Sequence, residues 1–211
     1  YHINNGVDLE QFDYNTEHFR VDDPDLDDPN TFKVVYTGSI RKANGLGILV
    51  DAAKAIRDPR IKILVWGEGD EREELTRRVM EEGLTNIVFK GKVEKKYVPS
   101  IVSRADLNLV HWGEVHLIQY GVSYNKLFDY MAAGRPIFST VRPGYSIWEK
   151  YDCGRDTEDT RPEPLAHELE KMAALPPEEL SRLGENARKG AEDYDFRVLT
   201  QKLLNVIGEI E

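Results

Sequence analysis

The chain has little cysteine, no excess of positive charge and no long hydrophobic run, and each absence excludes a class of protein. Cys153 is the only cysteine among 211 residues, which rules out an internal disulfide and a cysteine-rich zinc site. The formal net charge of −10 argues against a nucleic-acid partner, whose phosphates would be repelled. No apolar run approaches the roughly 20 residues that span a bilayer. No transmembrane segment is therefore predicted.

Several ligand-binding motifs are also missing. The chain contains neither Gly-x-Gly-x-x-Gly nor Gly-Lys-Ser/Thr, so neither a nicotinamide site nor a P-loop is supported. No cluster of histidine, cysteine and aspartate has the spacing of metal ligands. We therefore predict no metal site and no cofactor. With no recognisable signal peptide and one cysteine, a reducing cytoplasm is favoured.

What the chain does contain is a regular alternation of apolar and amphipathic segments from residue 32 onward. Strands are predicted at 33–39, 61–67, 86–91, 106–112 and 136–140, with a short sixth strand near Cys153. Helices are predicted between them, and two helices and a final amphipathic run complete the chain. This order predicts an α/β fold, a parallel sheet of about six strands with helices on both faces.

The segment before this alternation is polar. Residues 13–31 carry an acidic cluster at 22–28, interrupted by Pro24 and close to Pro29. Because the glycine and the distal glutamate of a calcium-binding EF-hand loop are missing, we predict a solvated, mobile loop and not a cation site.

Residues 123–137, SYNKLFDYMAAGRPI, combine helix signals with polar chemistry. Ser123 and Asn125 are candidate N-caps, and Gly134 suits the end of a helix that leads into a buried strand. Lys126 and Asp129 are three residues apart, so they share a face near the helix N-terminus. They could hold a phosphate and a sugar hydroxyl together, or simply form a surface ion pair.

Three glycine-bearing segments follow predicted strands, at 38–45, 67–70 and 91–93. Ligands of open α/β sheets bind outside the carboxyl ends of the strands, so these segments and the start of the 123–137 helix would surround one crevice. Arg41 and Lys42 could neutralise a diphosphate there. The alternative is that each glycine only makes a turn. Trp66, Trp112 and Trp148 could stack on a base or a sugar, although packing roles are favoured, as they are for His111 and His116.

Residues 123–137 resemble the signature helix of the retaining nucleotide-sugar glycosyltransferases of family 4, also called group 1, which have the GT-B fold. They are most similar to a bacterial polysaccharide subgroup that reads "SxNKLFEYMAAGKPI". Residues 1–12, YHINNGVDLEQF, resemble the family's "xIPNGVDxxxF" segment, which follows the interdomain linker. The resemblance implies the C-terminal half of a two-domain enzyme.

The same resemblance implies a division of the chain. Residues 1–31 would be a linker-proximal segment with the acidic loop, and 32–193 a Rossmann-like donor-binding domain. Residues 194–211 would form a helix that crosses back to the missing N-terminal domain. Without that domain, part of the helix's apolar face is expected to be exposed.

The resemblance also assigns roles to residues. Asp129 matches the second glutamate of the family's Glu-x₇-Glu motif, which hydrogen-bonds the ribose. The first glutamate falls on Gly121, so its contact with the donor sugar is vacant or passes to the 113–126 loop, which carries Glu114 and His116. The predicted catalytic residues are Arg41, Lys42 and Lys126, and the predicted nucleotide- and donor-binding residues are Gly38, Ser39, Gly91, Val93, Ser123, Asn125 and Asp129. The base is expected against the 91–93 turn.

The function implied is transfer of a hexosyl or N-acetylhexosaminyl group from a nucleotide-diphosphate sugar, UDP being favoured over GDP. The acceptor would be a glycan or a lipid-linked sugar in bacterial surface polysaccharide or glycolipid synthesis, in the cytoplasm or peripheral to the inner membrane face. This half alone is expected to be inactive. The alternatives are a GT-B sugar-nucleotide epimerase and a non-catalytic nucleotide-binding module. A receiver-like domain is disfavoured because the strand ends lack its acidic residues.

Overall fold

A computed structural model describes residues 3–113 and 124–208, and it places one parallel sheet between two layers of helices. The six strands lie in the order β3-β2-β1-β4-β5-β6, and each neighbouring pair is parallel. The strands are β1 (Phe32–Thr37), β2 (Ile61–Trp66), β3 (Ile87–Gly91), β4 (Leu107–Val110), β5 (Ile137–Ser139) and β6 (Gly154–Asp156). The helices are α1 (Leu9–His18), α2 (Gly47–Ala55), α3 (Arg72–Glu81), α4 (Val98–Val102), α5 (Asn125–Ala132), α6 (Ile147–Lys150), α7 (Pro162–Ala173), α8 (Pro177–Glu192) and α9 (Phe196–Gly208). The predicted α/β fold is confirmed.

The sheet has a hydrophobic core on each face. On one side, Val34 and Ile63 pack with side chains of α2, α3 and α7. On the other, Val35 and Leu64 pack with side chains of α1, α4 and α5. Strands covered on both faces are apolar at successive positions, which is why the predicted strands read as continuous apolar runs. Within the described residues, no helix has the length and apolar character needed to cross a membrane.

The predicted end of α5 is confirmed, whereas its predicted N-cap is wrong. Gly134 follows the helix with φ 63°, a conformation that favours glycine. At the other end Tyr124 is the N-cap and makes no side-chain capping bond, so Asn125 is the first helical residue. Ser123, the other candidate, lies outside the described residues.

The prediction of a mobile loop over residues 13–31 is wrong in two respects. Its first part belongs to α1, where the Asp8 carboxylate accepts from the backbone N–H of Gln11 at 2.9 Å. Only Leu9 and Phe12 of this helix are buried, so its periodic signal is weak. The acidic part is held in place by Leu26, which is 2% exposed, and by ion pairs with the sheet.

These ion pairs centre on two lysines that point from β2 and β3 toward the acidic loop. Lys90 Nζ lies 2.7 Å from Asp23 Oδ2 and 2.5 Å from Asp25 Oδ2, and Lys62 also pairs with Asp25. Burial alone would raise the pKa of Asp25, but its hydrogen bonds with Lys62 and Lys90 outweigh burial and lower it. The loop is therefore an ordered cover attached to strand lysines.

Replacing Lys90 by methionine should lower the free energy of unfolding at pH 7 by about 2 kcal/mol, because the partly buried Asp23 loses its cation and Asp25 keeps only Lys62. The measurement is urea unfolding, with Lys171→Met as control. Lys171 pairs with Glu168 on an exposed helix face and should change stability by less than about 0.5 kcal/mol. A carboxylate whose pKa is lowered in the folded state stabilises the fold above its ordinary pKa, and this stabilisation is lost as the pH falls. The difference in unfolding free energy between the wild type and Lys90→Met should therefore shrink below about pH 4. Equal stability of the two variants at pH 7 would contradict this account.

The segment before α1 is hydrogen-bonded to residues 194–196, near the start of α9. The backbone N–H of Val7 donates to the carbonyl of Tyr194 at 3.0 Å, and that of Phe196 donates to the carbonyl of Val7 at 3.0 Å. Leu9 N–H donates to Asp195 Oδ2 at 3.3 Å. The segment before α1 is thus fixed to the break between α8 and α9.

Candidate functional site

The strand order creates a crevice where β1 and β4 lie side by side. β2 and β3 continue the sheet on one side of β1, and β4, β5 and β6 continue it on the other. Such a reversal is the place where open α/β sheets bind ligands, at the carboxyl ends of the strands. β1 pairs with β4 only at Val34 and Val35, so the end of β1 is left without a strand partner on that side.

A buried tyrosine of α5 fills the gap beside the end of β1. The Tyr130 hydroxyl accepts from the backbone N–H of Thr37 at 2.9 Å and lies 3.2 Å from Thr37 Oγ1. Tyr130 is fully buried. Because a buried backbone N–H must be satisfied, this contact fixes α5 against the strand that leads into the crevice.

Lys126, in the first turn of α5, reaches over the end of β1. Gly38 has φ 153°, a backbone conformation that favours glycine, and a Cβ atom on it would lie 2.5 Å from Lys126 Nζ. The ammonium sits 3.9 Å from the centroid of the Tyr36 ring, in a cation–π contact. The Tyr36 hydroxyl donates to the carbonyl of Ser39 at 3.0 Å. Lys126, Gly38 and Ser39 are thus brought together.

Neither Lys126 nor Asp129 has an ion-pair partner within residues 3–113 and 124–208. The surface ion pair between these two residues, which the sequence left open as an alternative, is therefore not observed. Burial lowers the pKa of Lys126 to about 7. Burial also raises the pKa of Asp129 to about 6, an effect that the charge of Lys95 partly offsets. A desolvated cation and carboxylate without partners are typical of a binding site.

Two adjoining cavities lie near these side chains, and Asp129 lines one of them whereas Lys126 lines neither. The larger, which we call the β1–β3 cavity, has a volume of about 610 Å³ and is lined by Gly38, Ser39, Val93 and other residues at the ends of β1–β3. The Asp129 cavity has a volume of about 420 Å³ and includes Asn125 and Asp129 in its lining. Lys95 and Val98 line both cavities. Five of the predicted binding residues therefore face one continuous region.

The remaining predicted residues are placed differently. Gly91 ends β3 with φ 83°, and its carbonyl accepts from Gly67 N–H at 2.9 Å. Arg41 and Lys42 are exposed in the loop after β1 and line neither cavity. Ser123 lies outside the described residues, as do Glu114, His116 and Gly121.

Sequence reasoning missed three contributors to the site. Lys95 belongs to a charged run, EKK, which is typical of solvated surface. Asn5 lies far away in the sequence, yet its side-chain amide donates to Asn125 Oδ1. Tyr130 looks like an ordinary core aromatic. Asn5 enters only as part of the 1–12 segment that resembles the family's motif, and that resemblance gives no hint of the contact.

His111, directly after β4, is buried and hydrogen-bonded on both ring nitrogens. Nε2 lies 3.2 Å from the carbonyl of Gly45, which can only accept, so Nε2 carries the proton. Nδ1, 2.7 Å from Thr140 Oγ1, is then the acceptor. Burial lowers the pKa of His111 to about 4. This neutral histidine ties the loop before α2 to the end of β5.

The family model described as "Glycosyl transferases group 1" matches residues 31–174. The chain belongs to this family. It is 28% identical over 86 residues to a protein of Escherichia coli K12 named as a colanic acid biosynthesis glycosyl transferase, WcaI. That alignment covers 40% of this chain and 21% of WcaI.

Solved structures of glycosyltransferases share the fold. HepE of Anabaena, in complex with UDP, is 17% identical with a TM-score of 0.77, and the match covers 98% of this chain and 57% of HepE. A glycosyltransferase of Rickettsia africae is 15% identical with a TM-score of 0.77, covering 99% of this chain and 56% of that protein. The group 1 chain thus has the Rossmann-like GT-B domain architecture and spans just over half of these two proteins. Among its described residues, no group of three or more His, Cys, Asp or Glu could hold a metal ion.

Proposed function

We propose that this domain binds the nucleotide-diphosphate sugar donor of a retaining glycosyltransferase, with UDP favoured over GDP. One observation carries the proposal: Lys126 and Asp129 are desolvated and without ion-pair partners in the described chain, on one helix at the crevice between β1 and β4. An ammonium suits the diphosphate, and a carboxylate suits the ribose hydroxyls. The UDP in the HepE structure supports this class of ligand.

Lys126 would act on the leaving group. As the bond between the sugar and the diphosphate breaks, negative charge grows on the phosphate oxygens, and the ammonium and the N–H groups at the start of α5 stabilise it. An interaction that strengthens in the transition state accelerates the reaction as well as binding the donor. Arg41 and Lys42, which have no carboxylate partner in the described part of the chain, would add positive charge from the neighbouring loop.

Asp129 would hold the ribose in the Asp129 cavity, with Lys95 beside it. The base would lie in the adjoining β1–β3 cavity, against Val93 and the end of β3 at Gly91. No metal or cofactor is part of this proposal.

The other half of the enzyme would supply the acceptor site. Large apolar side chains of α9 are exposed, namely Phe196, Val198, Leu203, Leu204 and Ile207. An exposed apolar stripe on a terminal helix supports a covering domain, here the N-terminal domain that the shared fold implies. The name of WcaI supports a surface polysaccharide as the product. This half alone would bind donor, transfer nothing, and work in the cytoplasm or at the inner membrane face.

The test is a calorimetric titration with UDP, GDP, ADP and their sugars. We expect UDP to bind most tightly and Asp129→Ala to weaken it at least about tenfold, since a charged hydrogen-bond acceptor is worth about 1.5–3 kcal/mol. Asp13→Ala is the control, because Asp13 pairs with Arg188 and lines neither cavity, so its loss should leave affinity unchanged. Absence of binding at millimolar nucleotide, or an unchanged affinity in Asp129→Ala, would refute the site assignment.

A second experiment separates an enzyme from a non-catalytic module, the alternative that Gly121 keeps open. The full two-domain protein is assayed for release of UDP in the presence of acceptor glycans, and for change of the sugar in their absence. Transfer with the original anomeric configuration supports a retaining transferase, whereas conversion of the free UDP-sugar supports an epimerase. Donor binding without either reaction supports the module.

A further inference from the structure

Tyr36 is a fully buried residue of β1 that contacts two parts of the proposed donor site from below. Its side chain belongs to the core on the α2 side of the sheet, whereas α5 packs on the opposite side. Lys126 of α5 therefore extends past the end of β1 to reach the Tyr36 ring. A Cβ atom on Gly38 would lie 2.5 Å from Lys126 Nζ and 3.0 Å from the Tyr36 hydroxyl, so the two side chains converge directly after the strand.

The Tyr36 ring is the partner of the Lys126 ammonium within the described residues. Nζ lies 3.9 Å from the ring centroid, and it makes neither an ion pair nor a hydrogen bond with residues 3–113 and 124–208. The ammonium is largely desolvated, and a cation–π contact is stronger where water is excluded. The ring therefore has a direct influence on where this cation lies and on how firmly it holds its proton.

Three other titratable groups surround this contact. His111, after β4, interacts electrostatically with Lys126 but is neutral, since burial lowers the pKa of the imidazole to about 4. Tyr130 interacts with Tyr36, and burial raises the pKa of both phenols, so both stay protonated near neutral pH. Asp129 lies on the same helix, where burial raises the pKa of its carboxyl to about 6. Above about pH 7, Lys126 therefore titrates in surroundings whose own charge is nearly constant.

The Tyr36 hydroxyl contacts the loop that follows β1. It donates to the carbonyl of Ser39 at 3.0 Å. The residues on either side of Ser39 are tied elsewhere, because the backbone N–H groups of Gly38 and Ile40 donate to the end of β2 and to the loop after it, both at 2.9 Å. The hydroxyl thus adds a bond from the opposite strand side to a loop that leads directly into residues 41–42.

We propose that Tyr36 is a positioning residue of the donor site: its ring holds the Lys126 ammonium at the end of β1, and its hydroxyl fixes the Gly38–Ser39 backbone beside it. Tyr36 lines neither the β1–β3 cavity nor the Asp129 cavity, so it acts through these two groups and not by touching the ligand. The effect on donor binding rests on the proposed function, whereas the effect on the lysine does not.

Two substitutions separate the two contacts. Tyr36→Phe keeps the ring and removes the hydroxyl, whereas Tyr36→Leu removes both. The pKa of Lys126 in the free domain is measured by NMR titration of its side-chain signals, which Lys126→Arg assigns. We expect the same pKa in the wild type and Tyr36→Phe, and a pKa lower by about one pH unit in Tyr36→Leu, a tenfold change in proton affinity. An unchanged or raised pKa in Tyr36→Leu overturns the role of the ring.

The wild type provides a second measurement, which holds even if Tyr36→Leu fails to fold. The Hε signals of Lys126 should be displaced upfield by the ring current of the aromatic face beneath them, in the wild type and in Tyr36→Phe alike. Hε signals at the position of an exposed lysine would overturn the role of the ring.

Calorimetry with UDP tests the role of the hydroxyl. Tyr36→Phe should weaken binding by about three- to tenfold, since one hydrogen bond to the loop is lost while the pKa of Lys126 is unchanged. Tyr151→Phe is the matched control: the Tyr151 hydroxyl donates to Asp193 at 2.6 Å and lines neither cavity, so its loss should leave both the affinity and the lysine pKa unchanged. Wild-type affinity in Tyr36→Phe overturns the role of the hydroxyl. If UDP binds to none of these proteins, the proposed function fails, and the lysine titration still decides the role of the ring.

Discussion

Lys126→Met should weaken the binding of UDP by about 100-fold, since removing one partner of a desolvated charge pair costs about 2–5 kcal/mol. In the free protein the ammonium packs on the Tyr36 ring, and among the described residues it has no carboxylate partner to compete with a phosphate. Calorimetry on the wild type and the variant measures the change. An affinity within threefold of the wild type would show that the diphosphate lies elsewhere.

The pH dependence of the same titration provides a sharper readout. Because the pKa of Lys126 is about 7, the free lysine is largely neutral at pH 8, and a bound diphosphate should raise that pKa. Binding at pH 8 should therefore take up close to one proton, which appears as a dependence of the observed enthalpy on buffer ionisation. Lys126→Arg is the matched control, since arginine stays charged and should bind without this linkage. Equal proton uptake by wild type and Lys126→Arg would exclude Lys126 as the source.

Lys126→Met should also stabilise the free domain at neutral and acidic pH. The native state binds the Lys126 proton less tightly than the unfolded chain, where the pKa is about 10.4. The resulting loss of folding stability is complete below about pH 7 and fades as the pH rises toward 10. The free energy of unfolding of the wild type should therefore rise across that range. After allowance for the lost cation–π contact, we expect Lys126→Met to gain about 1 kcal/mol at pH 6. Urea unfolding at pH 6 and pH 10 measures the gain and its loss.

Gly184→Ala should lower the free energy of unfolding by about 2–3 kcal/mol through overpacking. A Cβ on Gly184 of α8 would lie 2.3 Å from the carbonyl oxygen of Gly134, at the turn between α5 and β5. That neighbour is backbone, so relief requires α8 to move away from α5. Thermal and urea unfolding measure the effect.

Gly47→Ala is the control for this prediction, because a Cβ on Gly47 of α2 would meet only side-chain atoms at 3.8 Å. Alanine is favoured over glycine in a helix by up to about 1 kcal/mol, so Gly47→Ala should be neutral or stabilising. If both variants lose the same stability, the close approach of α8 to the α5–β5 turn is not what requires glycine at position 184.

The strands of the sheet could be predicted because they are buried on both faces and separated by helical periodicity. Ile61–Trp66 and Ile87–Gly91 needed only this pattern. Helix α1 could not be predicted, since just two of its side chains are buried and the rest are polar. The fixed conformation of the acidic loop could not be predicted either, because the lysines that pair with Asp25 lie on strands that are distant in the sequence.

The candidate site was predictable where a motif concentrates its residues. Lys126 and Asp129 lie in one helical turn, and Gly38 follows an evident strand, so strand-end reasoning placed them in one crevice. Lys95 and Asn5 could not be found, because a lysine in a charged run and an asparagine in a turn have ordinary surface roles. Their importance depends on packing between elements that the sequence separates.

The contact between the segment before α1 and the break between α8 and α9 limits the order in which parts of this domain can form. Val7 pairs with Asp195, so this contact cannot form until α8 has been synthesised. Strands β1, β2 and β3 are neighbours in the sheet and in the sequence, so they can assemble as soon as they are synthesised. Asn5 and Asp8, which line the Asp129 cavity, are translated early and must wait for the end of the domain. The Asp129 cavity is therefore among the last parts of this domain to be completed, and a ribosome-bound chain stopped before residue 195 would carry the sheet without the finished cavity.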